Sequence, residues 1–200
     1  MPTANRSLRP QPDDRLAFFR GFLKRPKEVA SIIPSSRFLE RRVRRATRAD
    51  RADLIVELGP GTGGTTRALL DAMHPDAKLL AIEINPHFVH VLDRWPDPRL
   101  IVHEGSATDL RKILAEHGLG APDVVVSGIP FSTMERPIGR EILRAVYDAL
   151  EPGGAFVAYQ VRDRVHTLGR EVFGRARVQR ELLNVPPMRI YRWEKHAARL

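Results

Sequence analysis

Val56-Glu57-Leu58-Gly59-Pro60-Gly61-Thr62-Gly63-Gly64 joins the end of a short apolar run, Leu54–Leu58, to a helical pattern over 65–73. Glycine adopts positive φ without a side-chain clash and lets the backbone come close to a ligand. The helix start beyond the loop presents free N–H groups. A strand, a glycine loop and a helix in that order form the first half of a βαβ unit.

The same alternation continues outward from this loop. Strands are expected over 79–84, 100–103, 124–127 and 155–161, separated by helices over 86–94, 110–117 and 139–150. A helical stretch surrounds 171–173, and strands over 177–183 and 188–194 flank Val185-Pro186-Pro187. Strands alternating with helices imply right-handed crossovers and a mostly parallel sheet covered on both faces. The closing pair adds an antiparallel edge, which makes seven strands in an α/β fold.

Two acids narrow the ligand. Glu83, in Ala81-Ile82-Glu83-Ile84-Asn85, ends the second strand, where an acid accepts the hydroxyls of a ribose. Glu57 stands beside the loop and repels a pyrophosphate, and Pro60 departs from the dinucleotide fingerprint. These residues favour S-adenosylmethionine, with its cationic amino-acid end, over NAD. The plainer reading is a tight turn with solvated acids.

The chain has 200 residues and a net charge of +9. Residues 1–51 hold 14 Lys and Arg against 5 Asp and Glu, while 52–200 hold 19 of each, so the charge belongs to an N-terminal extension. Within it, helices are expected over 15–25, 27–33 and 37–49. Leu16, Phe19, Phe22 and Leu23 share one side of the first, with Phe18 beside them and Arg20 and Lys24 around them. Phe38, Leu39 and Val43 form the apolar side of the third. Such a basic, amphipathic segment suits an anionic membrane surface or nucleic acid phosphates. A division into this extension or lid (1–51) and a ligand-binding domain (52–200) follows. There is no cysteine, which excludes disulfides and thiolate chemistry and fits a cytoplasmic protein. The seven histidines show no metal-ligand spacing beyond His87 and His90, both expected at the surface, so no metal is expected.

The glycine loop resembles the first motif of the class I S-adenosylmethionine-dependent methyltransferases, read here as Glu57-Leu58-Gly59-Pro60-Gly61-Thr62-Gly63. The resemblance implies a Rossmann-like fold with S-adenosylmethionine as cofactor. It makes Glu83, with Ile84 and Asn85, the ribose site and places Gly105-Ser106-Ala107 against the adenine. It puts acceptor chemistry at Ser127-Gly128-Ile129-Pro130-Phe131. A narrower resemblance runs through Phe18-Phe19-Arg20-Gly21-Phe22, Ile33-Pro34-Ser35-Ser36-Arg37, the glycine loop, residues 127–131 and Leu183-Asn184-Val185-Pro186-Pro187. Together these are similar to bacterial phospholipid N-methyltransferases, which methylate phosphatidylethanolamine towards phosphatidylcholine at the cytoplasmic face of the membrane. That implies a phospholipid substrate and a peripheral position on the inner membrane face.

Ribosomal RNA adenine dimethyltransferases are the alternative, with nucleic acid as partner. They carry Asn-Leu-Pro-Tyr where this chain has Gly128-Ile129-Pro130-Phe131, and glycine has no side chain to hold an adenine amine. Tyr159 is the acceptor-side candidate, its hydroxyl for the amine and its ring for a methylated cation, an attraction worth roughly 0.5–2 kcal/mol. Packing beneath a loop is its other reading. Phe131 either stacks on the acceptor or packs inward, and Pro130 stiffens the loop. Ser35 and Ser36 either bond the cofactor's amino-acid end, as the resemblance implies, or cap a helix. Arg162 and Arg164 either bind a lipid phosphate or are solvated.

Overall fold

The computed structural model describes residues 37–184 and 186–196. The expectations placed on Phe18, Phe19, Arg20, Phe22, Lys24, Ser35 and Ser36, and on the helices over 15–25 and 27–33, lie outside the described residues.

Among the described residues six α-helices and seven strands follow in chain order: α1 (Arg37–Thr47), β1 (Leu54–Leu58), α2 (Gly64–Leu70), β2 (Lys78–Glu83), α3 (Pro86–Leu92), β3 (Leu100–Glu104), α4 (Leu110–Glu116), β4 (Val124–Ser127), α5 (Arg136–Ala149), β5 (Ala155–Gln160), α6 (Arg164–Phe173), β6 (Arg177–Glu181) and β7 (Met188–Glu194). They form one sheet in the order β3-β2-β1-β4-β5-β7-β6. The first five strands pair in parallel, and β7 runs antiparallel to both β5 and β6. This is the α/β architecture expected from the sequence.

Layering explains the apolar runs. Every residue of β1 and β4 is buried, because helices cover both faces of the sheet. On one face Leu39, Val43 and Ala46 of α1 and Leu69 and Leu70 of α2 pack with Ile55, Leu79, Val126, Val157 and Ile190. Each such side chain stabilises the fold by roughly 1.5–3 kcal/mol when fully buried. On the opposite face Phe156 stacks on Trp193 and on Phe173 of α6, and Tyr191 stacks on Trp193 and His166.

Several boundaries differ from expectation. Phe38 is 50% exposed and does not join the buried side of α1; Leu39 and Val43 do. The fifth helix begins at Arg136, before the expected 139, because Pro137 occupies its first turn, where no backbone N–H is required. The sixth is a full helix from Arg164, much longer than the stretch around 171–173.

Strand order reverses between β1 and β4. Their following loops diverge there and open a crevice at the C-terminal edge of the sheet, the usual binding place in such sheets.

Candidate functional site

Gly59, Gly61 and Gly63 all adopt left-handed backbone, with φ of 70°, 57° and 84°. At Gly63 a Cβ would also stand 2.6 Å from Trp95 and 2.7 Å from Leu92, so glycine is required twice over. Thr62 is exposed at the apex and Pro60 is buried at the loop's start.

The apex is tied to Glu83. One carboxylate oxygen accepts the Gly61 N–H at 3.0 Å, and the other accepts those of Ile84 and Asn85 at 2.9 Å. Glu83 is buried, which raises its pKa, while the three N–H donors act the other way. The Asn85 side chain is used locally, accepting the His87 N–H at the start of α3. On the neighbouring strand the Gly105 N–H bonds the Glu83 carbonyl. Ser106 accepts the Thr108 N–H and caps a short turn in which Ala107 is buried.

Glu57 lies on β1, fully buried. Thr66 donates to one of its oxygens at 2.6 Å, and its Oε1 has no hydrogen-bond partner. Burial pushes its pKa up to about 7, the Thr66 bond opposes this, and the charge of Glu83 adds to it. A buried carboxylate oxygen without a donor is costly unless a ligand supplies one. The orphaned Oε1, the glycine cradle and the acid at the end of β2 therefore fit a ligand with a cationic end and a ribose, as S-adenosylmethionine has.

The loop after β4 is built by its neighbours. Ser127 is buried and accepts the Ile129 N–H, and the Gly128 N–H bonds the Leu58 carbonyl. Gln160 donates to the Ile129 carbonyl at 2.6 Å. Gly128 sits against Tyr159: a Cβ there would lie 2.5 Å from the phenolic oxygen and 3.2 Å from the Gly59 carbonyl. Thr65 donates to that phenolic oxygen at 3.1 Å. Burial, aided by the charge of Glu57, holds the Tyr159 phenol well above its ordinary pKa. It stays protonated, and with Thr65 as donor its own proton remains available.

Glu57, Glu83, Gly59, Gly61, Gly63, Gly128 and Tyr159 thus gather around the crevice between β1 and β4. Pro130 is partly exposed on the loop. Phe131 requires correction: it is fully buried, its ring lies against Gly139 of α5, and it presents no face to an acceptor. The loop turns inward there because the ring fills apolar space between sheet and helix. Arg162 is exposed, whereas Arg164 donates to the Met134 carbonyl at 2.9 Å and braces the loop. His87 and His90 are exposed, and among the described residues no group of three or more His, Asp or Glu is placed to hold a metal. Also among the described residues, no helix is long and apolar enough to cross a membrane.

Thr65, Thr66 and Gln160 escape the sequence reading. The two threonines carried a signal, since hydroxyls in the first turn after a glycine loop stand close to the preceding strand. Gln160 carried none, because its role depends on how β5 packs beside β4.

The methyltransferase-domain family model matches residues 55–154. An ornithine lipid N-methyltransferase of Singulisphaera acidiphila is 35% identical over 145 residues, covering 72% of this chain and 76% of that protein. Ribosomal RNA small subunit methyltransferase A of Caulobacter vibrioides is 36% identical over 95 residues, covering 46% of this chain but 34% of its own length. In fold, the chain matches the O-methyltransferase TomG of Streptomyces achromogenes, solved in complex with S-adenosylmethionine, with a TM-score of 0.65 and 18% identity over 96% of this chain and 93% of that one.

Proposed function

The chain belongs to the class I S-adenosylmethionine-dependent methyltransferases, and we propose that it methylates the primary amine of a zwitterionic membrane lipid. Phosphatidylethanolamine and its methylated forms, leading to phosphatidylcholine, are the acceptors the sequence motifs favour. Ornithine lipid, named by a relative, carries the same pairing of an amine with an anionic group. The enzyme works as a peripheral protein on the cytoplasmic face, with the basic residues of 1–51 against the bilayer.

The observation that carries this reading is the acceptor loop. An adenine acceptor calls for an amide side chain at position 128 and a stacking ring at 131. Any side chain at 128 would collide with Tyr159, and the Phe131 ring is buried. A small aliphatic amine needs neither group.

When bound, the cofactor supplies an activated sulfonium methyl. Glu83 would hold its ribose hydroxyls, and the free Oε1 of Glu57 would accept from its ammonium group. Ser127, Gly128 and Pro130 would shape the path of the amine, and the partly exposed Tyr159 ring would face its methylated, cationic forms. An ammonium has no lone pair, so the acceptor loses a proton before attack. Tyr159 cannot take it, because its phenol remains protonated. The proton leaves to water or to the lipid's own anionic group.

The test is methyl transfer from labelled S-adenosylmethionine to liposomes of phosphatidylethanolamine, to liposomes of ornithine lipid, and to unmodified ribosomal RNA. Label in either lipid is expected. Label in RNA alone overturns the reading.

A further inference from the structure

We propose that the β6–β7 turn and the first turn of α1 form a membrane-docking rim, in which Leu182, Leu183 and Phe38 enter an anionic bilayer and nearby arginines meet its phosphates. The proposal rests on the lipid reading of the same site, and names the surface that brings it to its substrate.

The topology sets the position. β7 runs antiparallel to β5 and begins beside its end, Arg189 opposite Gln160. β6 ends where β7 begins, Glu181 opposite Met188. The turn therefore stands at the same edge of the sheet as the glycine loop and the acceptor loop. α1 leads into the start of β1 from the opposite edge, so its first turn also lies at the site edge. Arg42 of α1 bonds Glu181, which agrees with this placement, and Glu181 also accepts the Leu183 N–H at 2.8 Å. The start of the turn is thus tied to the end of β6 and to α1.

What it presents is apolar. Leu182 is 70% exposed and Leu183 64%, more than any other large apolar side chain among the described residues, and Phe38 is 50% exposed. Consecutive leucines held out by an ion pair at their base are costly in water. Their surroundings are cationic. Arg37 and Arg41 are exposed on the same turns of α1. Arg180 and Arg189 stand directly opposite one another across β6 and β7, a like-charge pairing that costs stability without an anion. The neighbouring Glu181 is already taken by Arg42, the Tyr191 hydroxyl that Arg189 contacts is neutral, and Asp163, whose charge reaches that hydroxyl, is one carboxylate against two guanidinium groups. Apolar side chains with arginines at the same edge of the sheet match the boundary between acyl chains and anionic headgroups.

The experiment uses the full chain and vesicles of equal parts phosphatidylglycerol and phosphatidylcholine. Neither lipid carries a methyl-accepting amine, so docking is read independently of the acceptor. The Leu182→Ser/Leu183→Ser variant should bind these vesicles about tenfold more weakly. Its unfolding midpoint and its affinity for S-adenosylmethionine should not change, since both leucines are exposed. Separately, the indole introduced by Leu183→Trp should be quenched by lipids brominated high on the acyl chain. Unchanged vesicle binding by the serine variant, or indole emission from the Leu183→Trp variant that the brominated lipid leaves untouched, overturns the proposal. So does a serine variant that loses self-association or RNA binding while keeping its vesicle affinity. If the rim holds but no lipid accepts label, the acceptor assignment fails and the docking surface stands.

Discussion

The two sides of the crevice are built differently. On the β1–β2 side, buried carboxylates bind their own neighbourhood: Glu83 holds three backbone N–H groups, and Glu57 holds Thr66 with one oxygen left over. On the β4–β5 side there is no buried charge. Position comes from contact, with Tyr159 against Gly128, Gln160 on the Ile129 carbonyl and Phe131 filling the core. One side resembles a polar socket formed before its ligand arrives, at the cost of an unsatisfied oxygen. The other is a shaped wall that selects by size. A cofactor with fixed charges suits the first, and a small amine at the end of a lipid suits the second.

The largest expected effect tests the socket. Glu57 ionises near 4.5 in the unfolded chain and near 7 in the folded one. Between those values the folded chain holds an extra proton. The stability of the ligand-free protein therefore falls as pH rises from about 4.5 to about 7, by on the order of 3 kcal/mol, and then levels. In Glu57→Gln most of this slope should vanish, leaving the smaller contribution of the same sign from Glu83, while cofactor affinity drops. Urea unfolding across pH measures it, and an unchanged slope would break the account of Glu57.

The wall is tested next by Gly128→Asn, which restores the amide of the RNA enzymes. The side chain must displace Tyr159, so transfer to lipid should fall about a hundredfold, the scale of an ångström's misplacement. Stability should drop by roughly 1–3 kcal/mol. A variant that keeps its lipid activity would show that the wall does not select by size.

Glu83→Ala returns to the socket. Loss of a charged acceptor should weaken S-adenosylmethionine binding about tenfold in a calorimetric titration. It also strands three N–H groups, so some stability goes with it. Normal cofactor binding would remove Glu83 from the ribose site.

The smallest effect is expected from Thr65→Val, which removes the donor to Tyr159 and nothing else from the site. Stability should fall by about 1 kcal/mol, with a few-fold loss of transfer and no change in cofactor affinity. A change in cofactor affinity instead would join Tyr159 to the socket and blur the division between the two sides.

How far each side could be read follows from its construction. The glycine loop, Glu57 and Glu83 lie within thirty residues, at strand ends marked by alternation, so their meeting is local to one βαβ unit. Phe131 stood in the right loop, yet its ring turned inward because the space beneath α5 had to be filled. Arg164 read as a phosphate ligand or a solvated cation, and proved to brace the Met134 carbonyl, thirty residues away. Phe38 read as part of the apolar side of its helix, and the packing of Leu39 and Val43 left it outside.

Residue order alone determined the seven-stranded α/β sheet, the glycine loop with its two acids, and the basic bias of the first 51 residues. Period, backbone freedom and charge are properties of short stretches. Tertiary structure decided which oxygen of Glu57 lacks a donor, why a side chain at position 128 would displace Tyr159, and that Leu182 and Leu183 share the site edge with Phe38. Each of those depends on atoms brought together from distant parts of the chain, where packing leaves room for one arrangement and closes off the rest.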